Sequence, residues 1–134
     1  MITLPRYILC GSRSKLAVEF TGAEADWDFA APNNAETHDA LESQGFTFSK
    51  YNNYFDSQTV IVYTKFDYST LCTIQVTIKK DYDLFCRVWD KITPEFFTKY
   101  IWKRSITYRN WDANIVRDHI KEIMNQLFEI AKND

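Results

Sequence analysis

YILCGSR at residues 7–13 and ADWDFAA at residues 25–31 decide how this chain is read. In the first stretch an apolar run over residues 7–10 ends in Gly11 and Ser12, the pattern of a buried strand running into a turn. In the second, alternation through Asp26, Trp27, Asp28 and Phe29 predicts a strand over residues 25–30. Acids two apart on a strand share a face, while Trp27 points to the other. Two anions so placed repel unless neutralised, and magnesium, which takes one or two carboxylates together with phosphate and water, suits that role. Around Gly11 and Ser12 the backbone amides are open to a phosphate, and the helix expected over residues 14–20 would offer its positive end. Arg13 adds a cation there.

Working outward, Gly22 separates these two segments, and Pro32, Asn33 and Asn34 make a turn. Asn34 is the expected cap of a helix over residues 35–44 that Gly45 terminates. Residues 46–51, 59–65 and 73–79, rich in Thr, Val, Ile and aromatics, read as three further strands. From Asp81 the period turns helical through Leu84, Phe85, Val88, Trp89 and Ile92. Thr93 and Pro94 then open a helix over residues 94–103. An apolar stripe of Ile115, Val116, His119, Ile120, Ile123, Leu127 and Ile130 marks a last helix over residues 112–132, capped by Asn110 or Asp112. The expected fold is α+β: a small mixed sheet with helices packed on one face and a C-terminal helical segment, in one domain spanning residues 1–134.

The ordered combination of a GS turn, a helix and a DxD strand resembles the DNA polymerase β-like nucleotidyltransferase superfamily, in particular its short single-domain members. YILCGSR and ADWDFAA occupy the places of that family's GS turn and SDIDL-like strand, so the resemblance covers residues 7–30 and extends further only by element order. It implies a nucleoside triphosphate held by its phosphates at Gly11, Ser12 and Arg13, with Asp26 and Asp28 coordinating two magnesium ions. Nucleotide monophosphate would pass to a hydroxyl on an RNA, protein or small-molecule acceptor, releasing pyrophosphate. The family also places a third carboxylate on a later strand beside the DxD strand. Here that strand is TIQVTIKK, residues 73–80, whose polar face has no acid, so Gln75 or Thr77 stands at that position. A neutral amide or hydroxyl binds magnesium more weakly and is no general base. Asp67, Asp81 and Asp83 are the substitutes considered, Asp81 being read first as a helix cap. A catalytically degenerate binding or regulatory protein is the alternative reading.

Composition excludes several other classes. The 134 residues are 46% hydrophobic and 25% charged with three glycines and three prolines, which argues for a globular domain rather than a disordered or fibrous one. No stretch approaches a membrane span or a secretory leader, and a cytoplasmic protein is expected. Cys10, Cys72 and Cys86 lie in apolar contexts and are expected to be reduced core thiols. His38 and His119 have no metal-ligand spacing. His38 is read as a helix-surface residue and His119 as a core one. Residues 1–60 carry four basic and eight acidic side chains, and residues 61–134 carry twelve and ten. The acid-free stretch over residues 99–109 is read as a solvated amphipathic face rather than a nucleic-acid surface. An exposed part of the last helix would serve a homodimer or a protein partner.

Overall fold

The computed structural model describes residues 2–15, 26–52, 59–102 and 113–133. In chain order these form β1 (Ile8–Cys10), α1 (Ser12–Lys15), β2 (Trp27–Pro32), α2 (Ala35–Ser43), β3 (Thr47–Asn52), β4 (Thr59–Asp67) and β5 (Cys72–Lys79). Helices α3 (Tyr82–Lys91) and α4 (Pro94–Phe96), a π-helix (Phe97–Trp102) and α5 (Ala113–Lys132) follow. The chain is therefore an α+β protein with a five-stranded mixed sheet and a C-terminal helix. Two compact units are present, one of residues 1–51 and 60–82 and one of residues 52–59 and 83–134.

The first unit holds the sheet, in the order β1-β2-β5-β4-β3. β5 has the alternation its sequence predicts: Cys72, Ile74, Val76 and Ile78 are buried, and Thr73, Gln75, Thr77 and Lys79 are half-buried. β2 runs parallel to it, pairing Asp28 with Gln75 and Ala30 with Thr77. β1 and β4 flank this pair antiparallel, with Cys10 opposite Asp28 and Thr64 opposite Gln75. The core lies on the apolar face, where Phe29, Ala31, Tyr63, Ile74, Val76 and Ile78 cluster with Leu41 of α2 and with Phe46. Asn34 caps α2 by accepting from the Thr37 amide at 2.9 Å, and Gly45, at φ +84°, follows its end.

The described part of the second unit is helical apart from Asn52 and Thr59, which belong to β3 and β4, and the short link at residues 92–93. On α3, Leu84, Phe85, Val88 and Trp89 are buried, and Phe85 and Trp89 stack with ring centroids 6.1 Å apart. Thr93 caps α4 as expected, its hydroxyl accepting from the Phe96 amide at 3.0 Å. The single helix expected over residues 94–103 is instead one turn that widens into the π-helix. The Thr98 hydroxyl donates to the Pro94 carbonyl at 2.8 Å, competing for an acceptor that α-helical bonding would use. On α5, Met124 and Ala131 are buried and Phe128 meets Phe85 at 6.5 Å, whereas Ile130, expected on the stripe, is exposed. At 3.6 residues per turn Ile130 lies about 120° around the helix from Met124. The side chains of Ile115, Val116, His119 and Ile120, residues 103–112 and the expected helix beyond Lys15 lie outside the described residues. No described helix is long and apolar enough to cross a membrane. No disulfide joins Cys10, Cys72 and Cys86.

Candidate functional site

The turn after β1 brings the two decisive sequence stretches into contact. Gly11 has φ +69°, and its carbonyl accepts from both the amide and the hydroxyl of Ser14, at 3.3 and 3.0 Å. A Cβ at this position would overlap Asp28 Oδ2 and come within 2.9 Å of Asp28 Cβ. Glycine is required twice over, by the left-handed backbone and by the carboxylate packed against its Cα. The antiparallel pairing of Cys10 with Asp28 causes this closeness, because it sets the residue after Cys10 beside the Asp28 side chain.

Asp28 is half-buried within β2, and Asp26 stands exposed just before the strand. Burial, and next the charge of Asp26, push the Asp28 carboxyl up from 3.8 to about 6, with Arg13 pulling the other way. Arg13 is held at the same end of the sheet. Its guanidinium lies 4.1 Å from the centre of the Trp27 ring and donates to Cys72 Sγ at 3.6 Å. Ser12 opens α1, and its side chain lies outside the described residues.

The two positions considered for the third carboxylate separate in the structure. Gln75 is the lateral neighbour of Asp28, one inter-strand spacing away, whereas Thr77 pairs with Ala30 in the next row of the same face. The substitute acids do not complete an acidic triad. Asp67 is at the right end of the sheet, but its carboxylate accepts from the Ser69 and Thr70 hydroxyls at 2.9 and 2.7 Å. These bonds, that from Thr70 foremost, hold its carboxyl below the usual range. Asp81 follows the far end of β5, and Asp83 lies in the first turn of α3. Among the described residues no three His, Cys, Asp or Glu side chains converge as a metal-binding group.

Magnesium fits the donors that are present in one way. One ion can take Asp26 and Asp28 and fill its remaining positions with phosphate oxygens and water. A second ion has no carboxylate of its own among the described residues.

His38 has partners that the sequence reading does not supply. Beyond its place on the surface of α2, it is half-buried and bridges Asn33 and the buried Tyr63, with Nε2 2.7 Å from Asn33 Oδ1 and Nδ1 2.7 Å from the Tyr63 hydroxyl. Asn33 accepts through Oδ1, so Nε2 carries the proton and Nδ1 accepts from Tyr63 in the neutral ring. Burial pushes the Tyr63 phenol up. The signal for this contact lay in the cap. Asn33 and His38 occupy the positions just before Asn34 and four after it, where a hydrophobic staple usually sits.

No protein-family model, curated protein or solved structure matches this chain.

Proposed function

We propose that this chain binds a magnesium–nucleoside triphosphate at the end of the sheet where Gly11, Asp26 and Asp28 meet, as a nucleotidyltransferase-like domain. The observation that carries the reading is the packing of the Asp28 carboxylate against Gly11, which joins the GS turn to the DxD strand. Asp26 and Asp28 would hold the ion, and Gly11 would leave the backbone open to the phosphates. The bound ion would neutralise the triphosphate and the repulsion between the two carboxylates. Arg13, held on Trp27 and Cys72 of the opposite face, acts on this end of the sheet only through its charge, which pulls the Asp28 carboxyl down.

Two activities are compatible with such a site. Transfer of nucleotide monophosphate to a hydroxyl needs a group that holds the catalytic ion and favours loss of the hydroxyl proton. Gln75, beside Asp28, has an amide that does neither well. The reading best supported is therefore nucleotide binding without efficient transfer, in a binding or regulatory role.

Calorimetric titration with each of the four Mg-NTPs tests the site. The parent is expected to bind at least one in a magnesium-dependent way, and the Asp26→Ala/Asp28→Ala variant to bind none. Equal binding by both proteins would sink the proposal. Incorporation of labelled nucleotide separates the two activities: Gln75→Glu should gain metal affinity and transfer over the parent. Multiple turnover by the parent with a defined acceptor would replace the binding-only reading with transfer.

A further inference from the structure

The face that carries Asp28 continues across β5 and β4. Asp28, Gln75 and Thr64 are neighbours in one row, and Thr73 pairs with Phe66 in the next row towards the β4–β5 turn. Away from the turn this face is closed, with Ala30 and Val62 fully inaccessible. At the turn it is open. Asp26 is exposed there, Phe66 is 44% exposed and Tyr68 is 82% exposed, and the two rings meet edge to face with centroids 4.9 Å apart.

This aromatic pair is not what holds the turn together. The turn is closed by the Leu71 amide donating to the Asp67 carbonyl at 2.8 Å and by the Ser69 and Thr70 hydroxyls on the Asp67 carboxylate. Leaving large rings in water forgoes roughly 1.5–3 kcal/mol of burial per residue. The floor between the rings and the acids consists of Thr73, Gln75 and Thr64, half-buried hydroxyls and an amide that carry no charge. From β2 to β4 is two inter-strand spacings, about 10 Å, a span suited to the ribose that separates phosphate from base.

We propose that Phe66 and Tyr68 form a stacking platform for the nucleobase of the ligand, with its ribose over Thr73 and Gln75 and its phosphates at Asp26 and Asp28. The platform rests on the nucleotide-binding reading and extends it to the nucleoside half of the ligand. Stacking uses the π-face that every base possesses, so the platform adds affinity for nucleotides over bare polyphosphate with little choice among bases.

The test compares two probes, Mg-ATP and Mg-tripolyphosphate, on the full chain and on Phe66→Ala/Tyr68→Ala. The expected result is a Kd for Mg-ATP raised about 5- to 150-fold, the equivalent of about 1–3 kcal/mol for one stacked base, with tripolyphosphate unaffected. Tyr68→Phe, which keeps the ring, should stay close to the parent. Unchanged Mg-ATP affinity in the double variant overturns the platform and leaves the phosphate site standing. Equal weakening of both probes also overturns it, since the rings would then act on the phosphate site or on the fold. A parent that binds neither probe overturns the platform and the nucleotide site together.

Discussion

Asp28→Asn isolates the electrostatic cost of the candidate site. The side chain keeps its shape and loses its charge, and a stable chain should become more stable in a pH-dependent way. In the native protein the Asp28 carboxyl rises from 3.8 to about 6, so the folded state holds its proton more tightly than the unfolded chain does. Each factor of ten in proton affinity is worth about 1.4 kcal/mol, which sets the cost of ionised, folded Asp28 at about 3 kcal/mol. The sign follows from linkage. Below pH 3.8 the group is protonated in both states and costs nothing. Between pH 3.8 and 6 the unfolded chain ionises first, so parental stability falls as pH rises, and above 6 the full cost is present. Urea unfolding followed by tryptophan fluorescence at steps from pH 4 to 8 reads this directly. With a slope of about 1–3 kcal/mol per molar, the midpoint of Asp28→Asn should pull ahead of the parent by about 1–3 M at pH 8 and converge with it near pH 4. A gap that is constant across this range, or that narrows as pH rises, would refute the reasoning.

The remaining predictions concern positions whose neighbours are known. Gly11→Ala must adopt a left-handed backbone and displace the Asp28 carboxylate, and should lose about 3 kcal/mol in the same unfolding assay. Adding Asp28→Ala should restore only part of that loss, because the Asp28 Cβ at 2.9 Å remains. His38→Ala strips the buried Tyr63 hydroxyl of its imidazole partner and should cost about 1–3 kcal/mol. Tyr63→Phe in that background should return most of the loss, and additive effects in the double-mutant cycle would show the contact to be worthless. Thr37→Val replaces a buried hydroxyl that has no hydrogen-bond partner among the described residues and should stabilise by about 1 kcal/mol; a lower melting temperature would contradict this.

The strands were legible where alternation and flanking turn residues agreed. Residues 73–79 alternate so regularly that their buried and half-buried faces could be assigned from the letters, and β5 begins one residue earlier, at Cys72. Asn34 and Thr93 declared their caps through side-chain oxygens placed three residues ahead of the amides they accept from. The sequence could not rank Gln75 against Thr77, because both lie on one face and only the register of β2 against β5 tells them apart. That register is set by packing across the sheet, which leaves no local trace. The His38–Tyr63 contact leaves no local trace because the two residues are remote in the chain, and the π-helix leaves none because Thr98 competes for a carbonyl that propensity ignores. Residue type alone puts Ile130 on the apolar stripe, whereas the buried line runs through Met124 and Ala131.

The parallel pairing of β2 with β5 also has a kinetic meaning. Asp28 and Gln75 are joined across the intervening α2, β3 and β4, so their contact closes a long loop, while the β4–β5 hairpin closes a short one. Contacts of that separation form slowly relative to a hairpin. Asp28 therefore acquires its shielded, proton-retaining environment only once the middle of the chain is in place. Proton uptake at Asp28 thereby reports the joining of β2 to β5.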